Sequence, residues 1–171
     1  MNTQQGNQLP FNEGLFELLL LQFAGDGGEL PIAIAYLSQA ANEDDALLKS
    51  TLVRIAREKI KHANILGSML LQMAQGRSGP LSTTLDQSEL QEVLATKGVR
   101  NDNHERASIL LERFSGIKNL QASAPHFASD PKAFLEANII TEEAQIAAYE
   151  KIALLTTDRN FVSALNYAKA R

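Results

Sequence analysis

The chain has 171 residues, of which 44% are hydrophobic and 21% charged, with a formal net charge of -4. That is enough for one domain with a sizeable core, too apolar for wholesale disorder, and too acidic for a protein that coats nucleic acid. It contains no cysteine, which excludes disulfide frameworks, thiolate zinc sites, iron–sulfur clusters and cysteine nucleophiles, and leaves Glu, Asp and three His to hold any metal.

Residues 1–10, MNTQQGNQLP, are polar and read as a loose N-terminal arm, with residues 11–171 forming a single domain. From Phe11 to about Asn42 the composition is helical, with a candidate break at Asp26-Gly27-Gly28. Its apolar run Leu15–Phe23 carries Glu17 and Gln22, is too short to span a bilayer, and has no basic segment before it. A cytoplasmic protein without membrane or nucleic-acid partners is the expectation. A turn at Asn42-Glu43-Asp44-Asp45 leads into a second long helix, about Asp44 to Gln75, whose acidic start suits the positive end of the helix dipole. Gly76-Arg77-Ser78-Gly79-Pro80 ends it. Residues 77–131 read as a long crossover, with short helices predicted at about Gln87–Thr96 and His104–Phe114. A third helix is predicted from Asp130 as cap and Pro131 as first residue to about Thr156. After a turn at Thr157-Asp158, a short last helix covers Phe161 to Arg171. No strand alternation of useful length is present. Two long helices, a long crossover and two more helices make an all-α chain with the connectivity of a ferritin-like four-helix bundle.

The inward faces carry the chemistry. Stepping by three and four along the second helix gives Leu48, Leu52, Ile55, Lys59, His62, Leu66, Met69 and Met73, an apolar face interrupted by Lys59 and His62 one turn apart. An inward Lys needs a partner, because an isolated buried ammonium is costly. Arg57 and Lys61 fall off the stripe. The first segment gives Leu19, Gln22, Asp26, Glu29, Ala33, Tyr36 and Ala40; the third gives Leu135, Ile139, Glu142, Ile146, Tyr149 and Ala153. Each has a central Glu followed seven residues later by Tyr. Glu29, Lys59, His62 and Glu142 are therefore expected to converge at mid-bundle, in the residue vocabulary of dinuclear carboxylate sites. Weighed against this, a lone His on an apolar face is more often a hydrogen-bonded core residue than a ligand, and Glu58 with His62 could be an ordinary helix pair. Tyr36 and Tyr149 are more often core residues with satisfied hydroxyls than redox groups. His104 and His126 have no ligand-spaced partner nearby.

At these residues the sequence resembles the manganese catalase family and its spore-coat relatives, ferritin-like proteins. LLLLQFAGDGGELPIAIAYLSQA is similar to that family's first core helix and puts Glu29 on its first metal-ligand position. IAREKIKHANILGSML is similar to the second helix, normally Ile-Ala-x-Glu-Glu-x-x-His, and puts His62 on the histidine ligand. LEANIITEEAQIAAYEKI is similar to the third, with Glu142 on another ligand. The resemblance covers about residues 15–76 and 135–171 and leaves the crossover unrecognised. It implies manganese (or iron), a homo-oligomer and, with metal bound, disproportionation of hydrogen peroxide.

Two departures weigh against that activity. The carboxylate three residues before the histidine is replaced by Lys59, and Glu58, the neighbouring acid, points about 100° away from the ligand face. The family's last helix continues from a position like Arg171 into Glu-x-x-His, which the sequence to Arg171 does not contain. Glu29, His62 and Glu142 remain of the implied ligand set. The expectation is a catalase-like bundle with a degenerate site, binding metal weakly or not at all. The alternatives are a catalase- or oxidase-type enzyme with a mononuclear or incomplete dinuclear site, a structural or stress- or coat-associated interaction protein, or part of a longer chain whose later residues supply the missing ligands.

Overall fold

A computed structural model describes residues 11–84, 86, 88 and 131–171. The arm and both helices predicted in the crossover, with His104 and His126, lie outside the described residues. Among those described there are five helices and no strand: α1 Glu13–Ala24, α2 Glu29–Ala41, α3 Ala46–Gln75, α4 Pro131–Ala153 and α5 Arg159–Lys169. The pair α1–α2 takes the place of one broken first core helix, and with α3, α4 and α5 it makes the all-α four-helix arrangement.

Local chemistry sets the helix ends. Asn12 caps α1 by accepting from the Leu15 N–H at 3.0 Å, and Asp45 caps α3 by accepting from the Leu48 N–H at 2.8 Å. Asp158 caps α5 by accepting from the N–H groups of Asn160 and Phe161. Gly76, at φ 63°, ends α3 in the left-handed region, and the Arg77 N–H closes back on the Gln72 carbonyl at 2.9 Å. These caps explain the small offsets from the sequence reading: α3 starts after Asp45 rather than at Asp44, and α5 starts after Asp158 rather than at Phe161.

The break between α1 and α2 is real and tight. The Gly25 N–H donates to the Leu21 carbonyl, and the Gly28 N–H donates to the Gly25 carbonyl. A Cβ at Gly25 would lie 2.5 Å from the Leu21 carbonyl oxygen, and one at Gly28 would lie 2.8 Å from it and 2.9 Å from that of Gln22. Only glycine lets the backbone fold this closely onto the end of α1. The break turns Asp26 out to solvent, correcting its expected inward position. Within Glu13–Ala41 an 18-residue window reaches a mean hydropathy of 1.3, apolar and long enough to pass for a membrane span. The break divides that stretch into two helices that lay their buried sides on α3.

The core has two parts. In the larger, Leu15, Phe16, Leu19 and Phe23 of α1 meet Leu66, Met69, Leu70 and Met73 of α3, Tyr149 and Ile152 of α4, and Phe161 and Leu165 of α5. In the smaller, Tyr36 and Ala40 of α2 meet Leu52 and Ala56 of α3. The chain after Gly76 runs back along α3. Gln72 Nε2 donates to the Pro80 carbonyl at 3.0 Å, the Ser82 N–H donates to Ser68 Oγ at 3.0 Å, and Leu81 packs on the larger core.

One expected face is corrected. The helical spacing puts Leu135, Ile139 and Ile146 inward, but they are 51%, 57% and 41% exposed. From Glu142 to Tyr149 a helix can step through residue 145 or residue 146 while keeping both ends on one side. The inward step is Gln145, because its amide meets polar partners in the bundle that an isoleucine could not satisfy. α4 also stops at Ala153, where Leu154 and Leu155 close a turn onto the Lys151 and Ile152 carbonyls.

Candidate functional site

Between the two parts of the core α3 presents Lys59 and His62, flanked by Ala56 on one side and Ala63 and Leu66 on the other, all buried. Glu29 is the first residue of α2, so the glycine break aims it, and it is completely buried. α4 contributes Glu142, Gln145 and Tyr149, and α2 contributes Tyr36 two turns beyond Glu29. The four residues expected to converge do so.

Lys59 is the hub. Its ammonium donates to Glu142 Oε2 and to Gln145 Oε1, and it stands 3.6 Å from Glu29 Oε2. The Tyr36 hydroxyl donates to Glu142 Oε1 at 3.2 Å, and the Tyr149 hydroxyl donates to Glu29 Oε1. Three of the four carboxylate oxygens therefore accept hydrogen bonds from protein donors, and the fourth, Glu29 Oε2, faces the ammonium without a hydrogen bond. Gln145 Nε2 donates to the Gly27 carbonyl at 3.3 Å, which ties α4 to the break that positions Glu29.

The tyrosines are held as donors. Burial, reinforced by the charge of Glu29 and their hydrogen bond, pushes the Tyr149 hydroxyl well above the ordinary phenol range. Burial, then the charge of Glu142, does the same to Tyr36. Both stay protonated and keep supplying hydrogen bonds to the carboxylates.

His62 is buried with its Nδ1 3.5 Å from Glu29 Oε1, too far for a hydrogen bond, and neither ring nitrogen has a partner. The rings of Tyr149 and Tyr167 stand edge-on to it, with centroids 6.4 and 6.3 Å away. Glu58 is not brought into this cluster. It pairs with Lys61 at 2.7 Å on the outer side of α3, and that hydrogen bond lowers its carboxyl below the usual range.

Gln145 and the Gly27 carbonyl were not picked out in the sequence. The signal for Gln145 was its place three residues after Glu142, the alternative inward step. Nothing in the sequence marks a backbone carbonyl as a site group.

Among the described residues no group of three or more His, Cys, Asp or Glu is arranged to hold a metal ion. The donors do not fit a dinuclear centre: metal ions would need the carboxylate oxygens that Lys59, Tyr36 and Tyr149 engage, and the ammonium stands between the two glutamates.

Comparison with known proteins bears on the whole chain. Neither the curated proteins nor the solved structures contain a match. The family described as manganese containing catalase matches residues 11–171, so the likeness extends through the crossover and is not confined to the helices on either side. On that match the chain belongs to the manganese containing catalase family.

Proposed function

We propose that this protein keeps the catalase bundle but has an internal cation in place of a working metal pair, binding metal weakly or not at all and acting as a structural or interaction protein. The observation that carries this reading is the Lys59 ammonium, which donates to Glu142 and stands 3.6 Å from Glu29. An ammonium supplies one fixed positive charge and three donors, and it cannot change oxidation state. It offsets one of the two carboxylate charges with no metal, whereas a metal pair would have to displace it from between both carboxylates. A homo-oligomer, resting on the family likeness, and a cytoplasmic location are part of the same proposal.

Protein produced in medium supplemented with manganese and iron tests it. The expected metal content is far below one ion per chain, with peroxide consumed no faster than in buffer. One or more ions bound per chain would overturn the reading.

A second reading has its own observation. Both ring nitrogens of His62 and Glu29 Oε2 are buried without hydrogen-bond partners, a residue of ligand capacity for a single divalent ion. In that case the protein is a catalase- or oxidase-type enzyme with an incomplete site and peroxide as its small-molecule substrate. The same measurement separates the two, because this reading requires one tightly held ion that disappears in His62→Ala.

A further inference from the structure

The connector that aims Glu29 also carries a reactive dipeptide. Asp26-Gly27 is the single place in the sequence where Asp or Asn precedes Gly. The backbone nitrogen after an aspartate can attack that residue's own carboxyl, and glycine, with no Cβ, leaves the nitrogen unhindered and its torsions free. In a helix the reaction is blocked, since the N–H is engaged and the torsions are fixed. The break removes both obstacles. The Gly28 N–H donates to the Gly25 carbonyl at 2.8 Å, which puts Asp26 and Gly27 at the two central positions of a turn. Both are exposed. Among the described residues the Gly27 N–H donates to no acceptor, and the Asp26 carboxylate has no hydrogen-bond or ion-pair partner.

We propose that Asp26 is a site of spontaneous isoaspartate formation and that the modification acts on the polar centre. Gly27 N bonds to Asp26 Cγ, the C–OH bond of the protonated carboxyl breaks, and the hydroxyl leaves with the amide hydrogen as water. The succinimide so formed takes up water at either carbonyl. Opening at Cγ returns aspartate, and opening at the backbone carbonyl leaves Gly27 linked through the Asp26 side chain. No oxidant, reductant or enzyme is required. The β-linked form routes the main chain through Cβ and Cγ, which lengthens the connector by one atom. The connector is pinned on both sides of that atom. Gly25 and Gly28 are pressed against the Leu21 carbonyl, the Gly27 carbonyl accepts from Gln145 Nε2 at 3.3 Å, and α2 begins at Glu29. Isomerisation therefore displaces the Gln145 anchor and Glu29, and leaves α1 on α3. The proposal does not depend on whether the polar centre binds metal.

The test is full-length protein held folded at neutral pH for weeks. Isoaspartate is read at residue 26 by peptide mapping and by methyl transfer from S-adenosylmethionine with an isoaspartyl methyltransferase. The expected rate is within about tenfold of that in the same chain unfolded in guanidinium. Gly27→Ala, whose methyl meets nothing within 4 Å, should fold normally and isomerise about tenfold or more slowly. The isomerised fraction, separated by ion exchange, should melt below fresh protein, and that loss should shrink by about half or more in Gln145→Ala, which lacks the anchor. Asp26→Glu, whose carboxyl would have to close a larger ring, should remain one species with an unchanged midpoint. No isoaspartate at residue 26, protection by the fold beyond tenfold, or Gly27→Ala reacting as fast as the wild type overturns the site. An isomerised fraction that melts with fresh protein, or one whose loss is equal in Gln145→Ala, overturns its link to the polar centre.

Discussion

Replacing Lys59 with methionine removes one charge and keeps most of the aliphatic stem, so it isolates the electrostatic role of the side chain. In the wild type the fully buried Glu29 has the ammonium 3.6 Å from Oε2, and Glu142 accepts a hydrogen bond from the same group. After the substitution Glu29 keeps only the Tyr149 hydroxyl and the imidazole of His62 at 3.5 Å. Removing one partner of a buried ion pair strands the other, a loss of about 3–5 kcal/mol. For a chain of this length that corresponds to a fall in Tm of about 6–20 °C. The loss should be largely repaired by adding Glu29→Gln, because the neutral amide needs no counter-charge; the double variant is expected to be about 1–3 kcal/mol more stable than simple addition predicts. Urea unfolding followed by far-UV circular dichroism on the wild type, both single variants and the double variant measures the whole cycle. An unchanged midpoint for Lys59→Met, or strict additivity in the double variant, would refute the internal-cation reasoning. Lys59→Glu provides the converse: with no ammonium and a third carboxylate it should be unstable in chelator and regain Tm as manganese is added, by mass action on the folded state. The wild type should show no such shift.

Further outcomes follow from the surrounding groups. The Tyr149 hydroxyl ionises in the unfolded chain near pH 10 but at higher pH in the folded one, so its contribution is fully present below pH 10 and drains away above it, at up to about 1.4 kcal/mol per pH unit. Stability curves should therefore show the gap between wild type and Tyr149→Phe narrowing from about pH 10 upward, and a constant gap would count against the buried phenol. Gly28→Ala pushes a methyl to 2.8 and 2.9 Å from two backbone carbonyl oxygens and should lower stability by about 1–3 kcal/mol in urea unfolding; a neutral result would mean the connector has slack. Glu58→Gln breaks a half-buried helix pair with Lys61 at the edge of the site, so its midpoint should move by no more than about 1 kcal/mol. A large loss there would place Glu58 in the site after all.

Much of this was legible in the sequence because helical periodicity writes burial directly. The stripe on α3 that named Lys59 and His62 also named Leu52, Leu66, Met69 and Met73, and those residues are buried. An inward lysine required carboxylates opposite it, and Glu29 and Glu142 meet that requirement. On α4 the pattern was ambiguous, since Gln145 and Ile146 are equally good steps between Glu142 and Tyr149, and the apolar residue was the natural choice. The polar residue faces inward because the centre offers it Lys59 and the Gly27 carbonyl, partners contributed by other helices. Periodicity within one helix carries no information about such partners. The glycine break could be suspected from composition, but its tightness depends on carbonyls a turn earlier in α1.

The four residues from Gly25 to Gly28 also act as a phase-setter between two helices. Neither the length nor the composition of the connector can drift freely, because Gly25 and Gly28 are pressed against the last turn of α1. One inserted residue would rotate α2 by about 100°, carrying Glu29 off the Lys59 side while leaving the packing of α1 on α3 intact. Insertions here are therefore predicted to spare the larger core and erase the polar centre. A single-residue ladder of insertions across the connector would separate folding of the bundle from assembly of the site.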